Sequence, residues 1–151
     1  MIIWLTGQPG SGKTTICEEI LKIRDYRVFH IDGDDLRDLF ENKDYSETGR
    51  RKNIELAQQI AQYLHNQGKD VLVSLVSPYK DQRDRFKEKM GDNLVEVYIH
   101  TTEIRGREDF FVKEYEKPTE RYLSINTTNE SVEESTKKVL DYAKNSRRGR
   151  P

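Results

Sequence analysis

The segment from Gly7 to Thr14 reads GQPGSGKT and fills every fixed position of the pattern G-x-x-x-x-G-K-[ST]. In this pattern, glycines let successive backbone N–H groups turn towards a phosphate, while the lysine and the final hydroxyl serve phosphate oxygens and a Mg²⁺ ion. An apolar run of strand length precedes the segment, and Ile16, Cys17 and Ile20 follow it at helical spacing. Strand, loop and helix together predict a nucleoside triphosphate site that contains Gly7, Gly10, Ser11, Gly12, Lys13, Thr14 and Thr15.

Length and charge narrow the class of protein. The chain has 151 residues, a formal net charge of −1 and 35% charged residues, so no overall field attracts nucleic acid or an anionic membrane. No apolar stretch approaches the roughly 20 residues that span a bilayer, and the first residues lack the basic region of a signal peptide. We therefore expect no nucleic-acid or membrane partner and a cytoplasmic location. We also expect one domain over residues 1–144 and a flexible basic tail over residues 145–151.

Apolar runs of strand length alternate with helical patterns along the chain. The runs lie at residues 1–6, 26–31, 71–76, 94–99 and 122–126. This alternation predicts an α/β fold of the P-loop NTPase type, an adenylate-kinase-like three-layer sandwich around a mainly parallel five-stranded sheet. Because such sheets bind ligands at the carboxyl ends of their strands, the loops that follow the runs are expected to carry the site.

An acidic cluster follows the second predicted strand and reads Asp32-Gly33-Asp34-Asp35-Leu36-Arg37. A strand end would hold these carboxylates near the γ-phosphate and an acceptor hydroxyl, which favours a small-molecule kinase. The Asn-Lys-x-Asp element of GTPase switches is missing, and the third strand ends in Ser77-Pro78-Tyr79 instead of the acid typical of motor and transporter ATPases. The simpler alternative is that Asp34 or Asp35 only caps a short helix.

Several motifs resemble those of the adenylylsulfate (APS) kinases, in the same order along the chain. The family's Asp-Gly-Asp-Asn-x-Arg is similar to residues 32–37, its Phe-Ser-x-x-x-Arg-x-x-Asn to residues 45–53, and its Ser-Pro-Tyr-Arg-x-x-Arg to residues 77–83. Further similar segments lie at residues 96–99, 115–118 and 131–135. The resemblance covers nearly the whole chain. It implies transfer of the γ-phosphoryl group of ATP to the 3′-hydroxyl of APS, with Mg²⁺ as the metal.

The resemblance also implies roles for individual residues. Lys13, Asp32 and Asp34 would be catalytic, with Asp34 on the attacking hydroxyl, and the magnesium ligands would be Thr14 and Asp32. Arg107 would lie over the ATP adenine. The APS site would consist of Asp34, Arg37, Tyr45, Arg50, Asn53, Ser77 and Phe111. In this site the arginines and Asn53 would hold the phosphosulfate. Tyr45 would stack on one face of the APS adenine, with Phe110 or Phe111 on the opposite face. The alternative for both phenylalanines is ordinary core packing. The partner is then a small molecule, and homodimer formation stays open.

The chain departs from the family most clearly in its lid. Residues 107–113 run directly towards Tyr115, where the family has a longer basic segment, and Asp35 replaces the family's asparagine. We expect the short lid to affect acceptor binding more than nucleotide binding. Two alternatives follow: a related kinase with another hydroxyl acceptor, and a catalytically reduced nucleotide-binding module, against which the retained Asp32 and Asp34 argue. The sequence leaves open whether Lys113 replaces a lid lysine, and whether Arg83 binds phosphate or lies on a helix surface.

Overall fold

A computed structural model describes residues 1–148, and within them five strands form one sheet. The strands are β1 (Ile2–Thr6), β2 (Phe29–Asp32), β3 (Val71–Ser74), β4 (Leu94–His100) and β5 (Tyr122–Asn126). Their order is β2-β3-β1-β4-β5, and all four neighbouring pairs are parallel. The predicted five-stranded sheet is therefore confirmed. The central strand β1 is buried along its whole length, as a strand covered on both faces must be.

Helices cover both faces of the sheet. On one face, α1 (Lys13–Ile23) and α5 (Val132–Arg148) pack their apolar residues against β1, β4 and β5. On the other face lie α2 (Gly33–Leu39), α3 (Glu47–Asn66) and α4 (Lys80–Met90). This arrangement is the predicted three-layer sandwich. Within residues 1–148, no helix combines the length and the apolar character that crossing a membrane requires.

The apolar pattern placed the start of the second strand too early, because a local turn sets where this strand begins. The second strand was predicted to start at Tyr26, but Asp25 and Tyr26 adopt left-handed conformations with φ of 53° and 57°. The Tyr26 backbone N–H donates to the carbonyl of Leu21 at 2.8 Å, which closes the end of α1. The chain consequently turns at Tyr26, and β2 starts only at Phe29.

The C-terminal helix is longer than predicted. It was expected to give way to a flexible tail at residue 145, but α5 continues to Arg148, so residues 145–148 are helical. Ala143 is buried against the sheet, the Ser146 hydroxyl donates to the Tyr142 carbonyl, and Arg147 pairs with Asp70, which together support the last turns. Residues 149–151 of the predicted tail lie outside the described residues.

Candidate active site

The phosphate loop connects β1 to α1, and two of its glycines are required by geometry. A Cβ atom on Gly7 would lie 2.1 Å from the carbonyl oxygen of Ile99, which no side chain could tolerate. Gly12 has φ of 112° and stands directly before α1, where no side chain of the described residues caps the helix. The backbone N–H groups of the first turn of α1 therefore point towards the loop, in the arrangement that binds phosphate.

Lys13 is a buried cation beneath this loop. Its side chain is 8% exposed, and Nζ donates to the carbonyls of Gly7 and Gln8, each at 2.9 Å. Burial lowers the pKa of Lys13 to about 8, and the nearby carboxylates of Asp32 and Asp34 partly oppose that shift. The structure thus brings the lysine of the loop and the acids that follow β2 into one electrostatic environment. Thr14 and Thr15 follow Lys13 and are exposed in the first turn of α1.

Asp32 is the residue that caps α2. One carboxylate oxygen accepts from the Asp34 backbone N–H at 3.3 Å, and the other accepts from the Ser74 hydroxyl at 3.3 Å. The same hydroxyl lies 2.7 Å from Nε2 of His30, whose pKa is lowered by burial. Because Asp32 makes the cap, the alternative in which Asp34 or Asp35 is the capping acid is wrong. The Asp34 side chain instead faces a cavity beside the loop.

This cavity has a volume of about 560 Å³ and lies at the carboxyl ends of the strands. Its walls come from α2, the start of α3, the loop after β3 and the loop after β4. Around it the structure brings together all seven residues that sequence similarity assigned to the acceptor: Asp34, Arg37, Tyr45, Arg50, Asn53, Ser77 and Phe111. Pro9 of the phosphate loop also lines the cavity, as do Arg107 and Phe110. The phosphate loop and the predicted acceptor residues therefore share one site.

The two arginines of the cavity differ in how firmly they are held. The Arg37 guanidinium donates to the carbonyls of Asn42 and Asp44, both at 3.1 Å, and lies 4.1 Å from the ring centre of Tyr45. No residue within 1–148 forms a hydrogen bond or an ion pair with the Arg50 guanidinium, which lines the cavity. Arg50 therefore has all its donors available for an anionic ligand.

Asn53 places an unpartnered oxygen in the same site. The residue is 4% exposed, and Nδ2 donates to the Gly33 carbonyl at 3.3 Å. Its Oδ1 atom is buried and accepts no hydrogen bond from the described residues. A buried acceptor without a donor is unfavourable, so a ligand that donates a hydrogen bond here would gain affinity.

The lid, residues 105–115, forms part of the cavity wall and also contacts the phosphate loop. Arg107 stands beside the loop, because a Cβ atom on Gly10 would lie 3.1 Å from Cβ of Arg107, and its guanidinium is 5.5 Å from the ring centre of Phe110. Lys113 is exposed and does not line the cavity. Three further residues attach the lid to the body, namely Gln8, Arg105 and Tyr115. Sequence reasoning missed all three, because no motif marks a side chain whose partner is a distant backbone group or hydroxyl.

Arg83 has neither of the roles that the sequence left open. It is buried between α4 and β4, with Nε 3.3 Å from Oε2 of Glu96, whereas Oε1 of the same carboxylate accepts from Lys87 Nζ at 2.9 Å. The Arg83 guanidinium donates to the carbonyls of Ser77, in the cavity wall, and Glu116, directly after the lid. Arg83 thus holds two site segments by their backbones.

Fold and site together define the class of protein. A phosphate loop after the central strand of a parallel sheet, with acids at the end of β2 and a cavity beside them, defines a P-loop kinase of small molecules. A family model described as adenylylsulphate kinase matches residues 1–126, and the chain therefore belongs to the adenylylsulfate kinase family. This membership favours the kinase over the nucleotide-binding module without catalysis.

Individual relatives agree with this assignment. The adenylyl-sulfate kinase of Staphylococcus haemolyticus is 30% identical over 96% of this chain and 84% of its own length, and that of Halothermothrix orenii is 31% identical over 93% and 87%. Among solved structures, the APS kinase of Mycobacterium tuberculosis in complex with AMPPNP and APS has a TM-score of 0.78 at 22% identity, covering 95% of this chain and 96% of its own. A gluconokinase from Sinorhizobium meliloti shares the fold with a TM-score of 0.68 at 18% identity, over 95% and 91%.

The alignment also supports a deletion in this chain. It spans 168 positions with the Staphylococcus haemolyticus enzyme, which exceeds the 151 residues of the chain itself. That relative therefore carries residues that this chain lacks, in keeping with a shortened lid.

Proposed function

We propose that this chain transfers the γ-phosphoryl group of ATP to the 3′-hydroxyl of adenosine 5′-phosphosulfate, giving 3′-phosphoadenosine 5′-phosphosulfate and ADP. The observation that carries the proposal is the cavity beside the phosphate loop, which is lined by all seven residues of the APS motifs. The names of the relatives, which are adenylyl-sulfate kinases, support the same acceptor.

The loop suits a triphosphate with its magnesium ion. Backbone N–H groups and Lys13 face the phosphate position, and the exposed Thr14 hydroxyl and Asp32 carboxylate are the two side chains that would ligate Mg²⁺. Within residues 1–148 no group of three or more His, Cys, Asp or Glu side chains could hold a metal. This pattern fits Mg²⁺, which is commonly bound by one or two carboxylates together with substrate phosphates. A Mg²⁺ ion held by these side chains would offset the negative charge of the phosphate oxygens.

The acceptor would be bound and activated by the cavity residues. Arg50 offers an unpaired guanidinium to the phosphosulfate, Arg37 adds a second positive charge, and Tyr45 presents an exposed ring for the adenine. Asp34 would accept the proton of the 3′-hydroxyl as its oxygen attacks the γ-phosphorus. The bond from that phosphorus to the β–γ bridging oxygen then breaks, and ADP leaves.

A second candidate function is phosphorylation of a different hydroxyl compound. The short lid favours it, because fewer residues are available to close over APS. Nucleotide binding and phosphoryl transfer would be the same in this case, and only the acceptor would differ. Homodimer formation remains a prediction for either candidate.

The decisive experiment measures ADP release with Mg-ATP alone, with APS added, and with a panel of other hydroxyl compounds. We expect APS to drive ADP release with formation of the 3′-phosphorylated product. Arg50→Ala should raise the KM for APS at least about tenfold and change the KM for ATP less than about twofold, because its donors face the acceptor cavity. Lys52→Ala is the matched control, since Lys52 is an exposed cation on the same helix.

Absence of APS binding, together with ADP release driven by another hydroxyl compound, would replace the APS assignment with the second candidate. An equal effect of Arg50→Ala on both substrates would argue that Arg50 acts on the nucleotide or on the fold.

A further inference from the structure

The side chain of Gln8 joins the phosphate loop to the lid. Its Nε2 atom donates to the Val112 carbonyl at 2.8 Å, and its Oε1 atom accepts from the Val112 backbone N–H at 2.9 Å. The Gln8 backbone carbonyl accepts from Lys13 at 2.9 Å. Gln8 thus contacts the phosphate-binding lysine with its backbone and the lid with its side chain.

Val112 belongs to the wall of the acceptor cavity. It is buried, and it lines the cavity together with Phe110 and Phe111, which directly precede it in the chain. The two hydrogen bonds hold both the N–H and the carbonyl of Val112. Because Phe111 directly precedes Val112, they also limit how the Phe111 ring can approach the acceptor. The position of this wall therefore depends on Gln8.

The other end of the lid is attached to the same loop. The Arg105 guanidinium donates to the carbonyls of Gly10 at 3.2 Å and Ser11 at 3.0 Å, and also to that of Thr127. Between Arg105 and Val112 the only regular structure is one 3₁₀ turn, Glu108–Phe110. A segment with so little structure of its own takes its position from its two attachments, and both attachments lie on the phosphate loop.

We propose that Gln8 is a positioning residue that couples nucleotide binding at the phosphate loop to acceptor binding in the cavity. Gln8 acts through Val112 and Phe111, not on the reacting atoms. A nucleotide that fixes the loop then strengthens acceptor binding, and the acceptor strengthens nucleotide binding by the same factor. The identity of the acceptor rests on the proposed function, whereas the attachment of lid to loop does not.

The first test replaces the carboxamide with an apolar group of similar length. Gln8→Met should raise the KM for APS about tenfold and raise the KM for ATP at saturating APS by a similar factor, because the two hydrogen bonds that couple the sites are lost. The dissociation constant of Mg-ATP measured without acceptor, and kcat, should change less than about twofold, because the loop's own phosphate contacts remain. Gln67→Met, at an exposed glutamine directly after α3, is the matched control and should change none of these values. Gln8→Asn, which is too short to form both bonds, should reproduce the effect if Gln8→Met folds poorly.

The second test asks whether Gln8 works through the cavity wall. In a Phe111→Ala background, Gln8→Met should add less than about twofold to the KM for APS, because the ring that it positions is already absent. Full additivity of the two substitutions would overturn the proposed route. A general loss of stability would instead add to the Phe111→Ala effect.

The third test does not depend on the acceptor. Hydrogen exchange with a non-hydrolysable Mg-ATP analogue bound should show faster exchange across residues 106–115 in Gln8→Met, by at least about tenfold at Val112, with unchanged exchange in α1. Unchanged exchange at Val112 would overturn the inference. Faster exchange in a chain that does not phosphorylate APS would support the inference and reject the proposed function.

Discussion

Lys13 must be charged to bind a triphosphate, yet it is almost completely buried. Its pKa is lowered to about 8, mainly by burial and in small part by Arg107, whereas Asp32 and Asp34 oppose the shift. The lysine therefore keeps its proton at neutral pH but begins to lose it well below the usual range for lysine. A buried ionised lysine destabilises the fold because removing its charge from water is costly, and the phosphate-loop motif is the pattern in which such a lysine would serve phosphate oxygens.

The stability of the protein should depend on pH because of this residue. In the unfolded chain Lys13 has the ordinary lysine pKa of about 10.5, whereas burial lowers its pKa in the folded chain to about 8. Between these values the unfolded state binds more protons, so stability rises with pH in that window. Lys13→Met should remove this rise and raise the melting temperature at neutral pH by about 3 °C or more. Turnover should be lost in the same variant.

Melting curves recorded from neutral pH to above pH 10 check this expectation, with Lys22→Met as the control because Lys22 is an exposed lysine on the same helix. A pH profile for Lys13→Met that matches the wild-type profile would contradict the assignment of the buried cation.

Asp34 and Asp35 offer a matched pair of acids for testing the chemistry. Asp34 lines the acceptor cavity, whereas Asp35 does not. Asp34→Asn should lower kcat about 10²-fold or more and leave ATP affinity nearly unchanged, because the shape of the side chain is kept and the base is lost. Asp35→Asn should have little effect on steady-state kinetics. An unchanged rate in Asp34→Asn would move the chemistry to Asp32 or leave it without a side-chain base.

At the scale of elements, α4 is attached to β4 by a buried group of three charges. Glu96 is 2% exposed and pairs with both Arg83 and Lys87, and Lys87 also donates to the Glu120 carbonyl. A second carboxylate, that of the partly exposed Asp84, lies 3.7 Å from Lys87 Nζ, and backbone carbonyls accept hydrogen bonds from both cations. The group fixes the end of the lid and the Ser77 wall relative to the sheet.

Removing the acid from this group should be severely destabilising. Glu96→Ala leaves the buried Arg83 without a carboxylate and Lys87 with only the partly exposed Asp84, so the free energy of unfolding should fall by about 3–5 kcal/mol. Urea unfolding of Glu96→Ala measures this, with Glu133→Ala on the exposed side of α5 as the control. A decrease in the free energy of unfolding of less than about 1 kcal/mol, which is the range for surface ion pairs, would show that water reaches the group.

Elements and motif residues could be predicted from the sequence, whereas the attachments between them could not. Apolar runs located all five strands, and the APS motifs named residues that gather at one cavity, because both signals are local in the chain. A cap is equally local: the Ser131 hydroxyl accepts from the Glu134 N–H, three residues later in the chain, at 3.1 Å. By contrast, Gln8 and Arg105 contact backbone groups about 100 residues away, and any residue type can supply a backbone partner. Such pairs leave no pattern in a single sequence.

For the molecule as a whole, the short lid should lower the exclusion of water from the transferring phosphoryl group. A lid that closes less completely leaves water as a competing acceptor. ADP release without an acceptor, as a fraction of release with APS, should exceed that of the longer Staphylococcus haemolyticus enzyme about fivefold or more. A Lys13→Ala sample measures contaminating ATPase. An equal fraction in both enzymes would mean that the short lid excludes water as well as a long one.

The strand order also has a consequence for synthesis on the ribosome. β1 pairs only with β3 and β4, and β2 pairs only with β3, so a nascent chain that has not reached residue 71 contains no two strands that are neighbours in the finished sheet. β1 leaves the ribosome before β3, so it has no strand partner until the residues between them have been synthesised. Its exposure during that interval makes the nascent chain a substrate for chaperones that bind apolar segments. The phosphate loop, which depends on β1, takes its final shape only late in translation.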